Sequence, residues 1–177
     1  METLVDKRNI VDRFKNWAND LIIADLDTRR NNFGILCCNI QGDFNIGSVI
    51  RNNNAFLGRE VIIYGKKRYD RRGCVGTYKY EHLKHVKLED NLELAISKYD
   101  QVIGVDNIDS AEPIDNQQWN YNKKTLFCFG EEGSGLPQNV LDICNKIVYI
   151  KQMGSVRSIN VGCASAIILF HYCQGLK

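Results

Sequence analysis

The sequence lacks several signatures that would settle its chemistry at once. It has no CxxC pair and no His/Cys cluster at zinc-ligand spacing, which removes the common zinc modules. It has no GxGxxG turn and no GKS or GKT, which removes the dinucleotide fingerprint and the P-loop. No Ser/His/Asp set stands out, and His82, His85 and His171 are not spaced as metal ligands, so no metal is expected. No apolar stretch reaches the ~18 residues of a membrane helix, and the N-terminus carries no signal-peptide core. A cytoplasmic protein without a membrane span is therefore expected. An excess of one charge is missing too. With a net charge of +2, any affinity for nucleic acid must come from local clustering.

What is present fits one domain with a short appendage: 177 residues, ordinary in apolar and charged content. Cys37, Cys38, Cys128, Cys144, Cys163 and Cys173 sit in or beside apolar runs. They read as small buried hydrophobes in a reducing compartment.

Residues 1–33 read as a mainly helical extension, with Ile10, Phe14, Trp17, Leu21 and Ile22 at three- and four-residue spacing. Two roles stay open for it: an amphipathic helix packed on the domain, or an RNA-contacting arm using Lys7, Arg8, Arg29 and Arg30. Residues 34–177 form the main domain, where strands alternate with helices. Strands are expected at Gly34–Ile40, Glu60–Gly65, Gln101–Asp106, Thr125–Gly130 and Ile147–Ile150. Helices are expected from Gly47 to Gly58, over Asn91–Tyr99, from Pro137, and over Ser158–Tyr172, the last with Ile159, Cys163, Ile167 and Phe170 on one face. The alternation predicts an α/β fold with a mainly parallel sheet flanked by helices.

Between residues 66 and 87 the charge pattern changes. Lys66, Lys67, Arg68, Arg71, Arg72 and Lys79 crowd a segment interleaved with Tyr69, Tyr78 and Tyr80. Cations meet phosphates and rings stack unpaired bases, so this is either an RNA surface or a solvated basic loop. Three consecutive asparagines, Asn52 to Asn54, are poor helix formers and call for a reason.

The chain is organised around two strand ends near its C-terminus. One apolar run ends in Phe129-Gly-Glu-Glu-Gly-Ser-Gly-Leu136, the other in Ile150-Lys-Gln-Met-Gly-Ser-Val-Arg-Ser-Ile-Asn160. Each delivers a backbone-exposing loop, which makes a ligand site before any side-chain chemistry is considered. A third stretch, Asn45-Ile-Gly-Ser-Val-Ile-Arg51 with Gly58 closing its helix, lies upstream. By themselves, Arg51 reads as a surface cation and the adjacent Glu131 and Glu132 as diverging side chains, of which at most one enters a site.

Taken together and in order, these three motifs resemble the SpoU/TrmH branch of the SPOUT methyltransferases over residues 34–175. Ile159 replaces the usual Leu, and Gly162 stands where Ser is common. The resemblance implies S-adenosylmethionine as cofactor, a homodimer, a trefoil knot at about residues 125–177, and methylation of a ribose 2′-hydroxyl in structured RNA, tRNA ahead of rRNA. It assigns Arg51, Asn45, Glu132, Ser158 and Asn160 to the catalytic site. It assigns Phe129, Gly130, Glu131, Gly133, Gly135, Leu136, Ile150, Met153, Gly154, Ser158, Ile159 and Asn160 to the cofactor. Leu136, Ile150 and Ile159 are its apolar walls, and Glu132 rather than Glu131 carries the acidic role. RNA contacts are expected at Lys66, Lys67, Arg68, Arg71, Arg72, Lys79, Arg29 and Arg30. The family arginine is often cast as a general base. A guanidinium with a pKa above about 12 has no free lone pair to accept a proton, so phosphate binding and charge stabilisation suit Arg51 better. Base methylation within the same fold, or a non-catalytic RNA-binding dimer, are the competing readings.

Overall fold

The computed structural model describes residues 5–39, 45–131 and 133–176. Glu132 and residues 40–44 lie outside the described residues, so the acidic role assigned to Glu132 has no structural account.

Among the described residues seven parallel strands form one sheet in the order β3-β2-β1-β6-β4-β7-β5. They are β1 (Phe33–Asn39), β2 (Val61–Gly65), β3 (Leu83–Val86), β4 (Gln101–Val105), β5 (Glu112–Pro113), β6 (Thr125–Phe129) and β7 (Lys146–Tyr149). The helices are α1 (Asn19–Asp27), α2 (Ile46–Ala55), α3 (Leu92–Ile96), α4 (Gln138–Leu141) and α5 (Val161–Cys173).

The central strands are buried from end to end, as a parallel sheet covered on both faces requires. Alternation then sorts their side chains into two cores. Ile35, Cys37, Phe127 and Phe129 pack with Val49 and Ile50 of α2 and Ile168, Leu169 and Tyr172 of α5. Leu36, Cys38, Leu126 and Cys128 pack on the other face with Leu92 and Ile96 of α3 and Val140 of α4.

β1, β2 and β3 step outward to one side, whereas β6, β4 and β7 lie to the other. The strand order therefore reverses beside β1, where open α/β sheets bind ligands at their carboxyl edge. The loops after β4, β6 and β7 leave from that edge.

The structure departs from the sequence expectations in three places. The extension is less helical than its periodicity suggests: among the described residues α1 covers nine, preceded only by a 3-10 turn at Asp12–Phe14. Asp6 accepts from the backbone N–H groups of Arg8 and Asn16 at 3.0 and 2.8 Å, and Asn16 has φ +65°. Side-chain acceptors of this kind compete with helical hydrogen bonds. The extension still packs on the domain, through Phe14, Ile22 and Leu26 against Tyr80. Strands β3 and β5 were not expected; both are sheet edges, short and polar enough to read as loop. The face of α5 carrying Cys163, Ile167 and Phe170 points to solvent, while Gly162, Ser165, Ile168, Leu169 and Tyr172 turn inward.

Candidate functional site

The turn after β6 is shaped by its glycines. Glu131 and Gly135 pair across it through two backbone hydrogen bonds of 3.1 and 3.0 Å. A Cβ on Gly130 would stand 2.1 Å from the Gly135 carbonyl carbon, so only glycine lets the chain fold back this closely. Gly135 (φ +69°) also needs the left-handed region, and any Cβ there would stand 2.5 Å from Asp106 Oδ2.

Asp106 follows β4 and clamps this turn. Its Oδ2 accepts from the Leu136 N–H at 2.7 Å, and its Oδ1 from the Asn107 N–H at 2.7 Å. Asn107 Nδ2 donates in turn to the Arg157 carbonyl at 2.8 Å, tying in the loop after β7.

The two loops enclose a cavity of about 270 Å³. Phe129, Ile150, Ile159, Val161 and Ala164 supply apolar wall, and Gly130, Gly133 and Gly135 supply backbone. Glu131 and Ser158 complete the part expected from sequence; Glu131 is a buried carboxylate within 3.4 Å of Ser134 Oγ. A second cavity of about 360 Å³ adjoins it, sharing Asn107, Ile150, Gln152 and Arg157. Gln152 Oε1 is buried without a hydrogen-bond partner among the described residues, an acceptor with nothing yet to accept from.

Not every expected residue enters this space. Leu136 is buried in the core behind it and contributes its N–H to Asp106. Met153 is 93% exposed, and Gly154 has open space around it. Neither lines the cavity. Asn160 caps α5, its Oδ1 accepting from the N–H groups of Gly162 and Cys163 at 2.8 and 3.3 Å. Its Nδ2 donates to Asn45 Oδ1 at 2.8 Å, which joins the start of α2 to the start of α5. Arg51 lies on the exposed face of α2 and has no ion-pair partner among the described residues. Asp106, Asn107, Gln152 and Arg157 were missed. Their one sequence signal is position, at the carboxyl ends of β4 and β7.

The chain belongs to the SpoU rRNA methylase family. The model of that family matches residues 32–170. The tRNA (guanosine(18)-2'-O)-methyltransferase TARBP1 of Mus musculus is 28% identical over 144 residues, 73% of this chain. The chain spans only 8% of that mouse protein's length. The tRNA (guanosine(18)-2'-O)-methyltransferase of Aquifex aeolicus is 24% identical over 152 residues, covering 82% of this chain and 70% of its own. Among solved structures, an AdoMet-bound rRNA methyltransferase from Sinorhizobium meliloti superposes with a TM-score of 0.73 at 19% identity, over 88% of this chain and 60% of that one. That likeness shows a shared fold.

The basic segment lies beside α2. A Cβ on Gly47 would stand 2.9 Å from the Asp70 carbonyl oxygen and from the Cys74 N–H nitrogen, so the loop rests on the first turn of that helix. Lys66, Lys67, Arg68, Arg71, Arg72 and Lys79 are all exposed on it. Arg71 stands over the Tyr78 ring at 5.1 Å, and Arg72 pairs with Asp70 at 2.6 Å. In the extension, Arg29 is exposed and pairs with Asp25 at 2.7 Å. Arg30 corrects the sequence expectation. Its side chain is 3% exposed and is spent on Asp27, Glu81 and the carbonyls of Gly58 and Tyr80, which leaves no surface for RNA.

Among the described residues no helix is long and apolar enough to cross a membrane.

Proposed function

We propose that the chain is an S-adenosylmethionine-dependent RNA methyltransferase that modifies a ribose 2′-hydroxyl, with tRNA as the substrate class. The observation that carries the proposal is the clamped glycine turn facing the loop after β7, in a family whose curated relatives above are named tRNA 2′-O-methyltransferases.

The residues present fit such a cofactor. Apolar walls suit an adenine ring, exposed glycine backbone suits its polar edge, and the orphaned Gln152 Oε1 suits a donor from the ligand. Phe129, Gly130, Glu131, Gly133, Gly135, Ile150, Ser158 and Ile159 would hold it. When bound, it supplies a methyl group already activated on a sulfonium. The protein's task is then alignment and proton management. Arg51 binds the phosphate next to the target ribose and stabilises charge growing on the 2′-oxygen. Asn160, held by its cap and by Asn45, fixes the two helix starts relative to each other. The 2′-hydroxyl proton leaves to the neighbouring phosphate or to water, and Glu132 orients Arg51 or Asn160.

The exposed cations of the basic loop extend the same surface from Arg51 and grip the RNA backbone. The outward face of α5, with Ile167 41% and Phe170 57% exposed, supports a homodimer. The seven free cysteines suit a reducing compartment such as the cytosol.

The test is transfer of a labelled methyl group to tRNA transcripts, with mapping of the modified nucleotide. A 2′-O-methylated ribose is the expected product; a methylated base, or no cofactor binding by calorimetry at millimolar ligand, would overturn the proposal.

A further inference from the structure

Directly after Arg51, α2 carries Asn52, Asn53 and Asn54, and each has a partner off the helix. Asn52 Nδ2 donates to the Gly162 carbonyl at 2.7 Å and to Ser165 Oγ at 2.8 Å, both on α5. Asn53 and Asn54 each donate to one oxygen of Glu81, at 2.6 Å in both cases. Glu81 has a side-chain exposure of 0% and completes its shell with Arg30 Nη1 at 3.2 and 3.3 Å. Burial pushes its carboxyl above the ordinary range, against the pull of Arg30 and the two amides.

A helix turns by about 100° per residue, so these anchors flank Arg51 on both sides. Asn52 lies about 100° to one side of it and Asn54 about 60° to the other. Ser48, on the Asn52 side, meets α5, where a Cβ on Gly162 would stand 2.9 Å from the Ser48 Cβ. Gly47, on the Asn54 side, meets the basic loop at Asp70 and Cys74. Arg51 thus stands in the gap between α5 and the basic loop, and the asparagines hold the roll of the helix that puts it there.

We infer that Glu81, acting through Asn53 and Asn54, is a positioning residue for Arg51. This rests on the role proposed for Arg51 in methyl transfer. A long exposed side chain is aimed only as well as its helix is fixed, and a displacement of about 1 Å can cost about a hundredfold in rate. A buried carboxylate with three donors is a stiff and directional anchor, because each departure leaves a charge unpaired in the core. Arg30 belongs to the same anchor, so the N-terminal extension contributes to the site without touching RNA at that residue.

The test is a double-mutant cycle. Glu81→Gln keeps the shape but sets an amide against the Asn53 and Asn54 donors. Methyl transfer to tRNA at saturating cofactor is measured for the parent, Glu81→Gln, Arg51→Ala and the double variant. Glu81→Gln should lower kcat roughly tenfold, with the KM for S-adenosylmethionine within about twofold, and should cost less than about twofold more in the Arg51→Ala background. Equal factors in both backgrounds, or a matching loss of cofactor affinity, would overturn the inference. Asn54→Ala, half-buried and removing one donor, should show the same background dependence on a smaller scale if Glu81→Gln fails to fold. If the parent transfers no methyl, the functional proposal fails separately. The cycle is then read on tRNA dissociation constants, where coupling between Arg51 and Glu81 supports positioning and additivity refutes it.

Discussion

Replacing Gly130 with alanine puts one methyl group where the structure has backbone. The added Cβ would stand 2.1 Å from the Gly135 carbonyl carbon and 2.3 Å from its oxygen. Carbon atoms in ordinary contact stand about 3.5–4 Å apart, so the turn must open by more than 1 Å. The neighbours are main chain, with no side-chain end that could swing aside. Opening breaks the two Glu131–Gly135 hydrogen bonds, each worth about 1 kcal/mol net. Overpacking a tight site adds about 1–3 kcal/mol. At the low end of that sum, about 3 kcal/mol, and about 1.4 kcal/mol per factor of ten, cofactor binding is weakened at least roughly a hundredfold if the turn opens only at the site. Calorimetry with S-adenosylmethionine reads that loss. If the strain spreads to the fold instead, at about 2–4 °C per kcal/mol the melting temperature drops by about 6–12 °C. Gly154→Ala is the control, since no described residue lies within 4 Å of a Cβ there. A Gly130→Ala protein that binds within about twofold of the parent and melts at the same temperature would refute the argument that the turn's closeness builds the site.

Three further outcomes follow from named contacts. Arg71→Glu together with Arg68→Glu should weaken tRNA binding and flatten its dependence on salt by filter binding across a salt series, whereas Arg30→Met should lower the melting temperature in a thermal scan and change the salt slope by no more than the single phosphate contact of Arg51. Asn160→Ala removes the α5 cap and the link to Asn45, and should cost about 1–2 kcal/mol in a urea titration. The extension should loosen only in acid. Donors from Arg8 and Asn16 hold Asp6, and those from Arg30 and His82 hold Asp27, below the ordinary carboxylate value of 3.8, so their support is complete above that pH and fades as the pH falls through their lower folded values. Glu81 runs the opposite way, since burial raises it and acid relieves its buried charge. Hydrogen exchange of α1 as a function of pH reads the result, and loosening of α1 already at neutral pH would contradict it.

The strands that hold the site were legible because β1, β4, β6 and β7 are short runs of apolar, often β-branched or aromatic residues, and two of them end in glycine-rich loops. The edges were not. Leu83–Val86 is interrupted by Lys84 and His85, and β5 is two residues long, so neither carries a period. The outward face of α5 was legible as a stripe, but its direction was not, because a helix with apolar residues all round has no preferred inside.

The sequence by itself determined the family, the parallel α/β order and the glycines that shape the turn after β6. Each depends on local spacing or on backbone freedom, which the order of residues states directly. The tertiary structure alone decided what the polar residues are for. Arg30 reads as a cation for RNA until its burial against Glu81 makes it a strut. Asp106 reads as the end of a strand until its carboxylate is found holding the Leu136 N–H. The asparagines after Arg51 read as poor helix formers until α5 on one side and Glu81 on the other account for them. A polar side chain has its role set by what faces it in space, at separations of up to 113 residues among these pairs, and no local pattern records that.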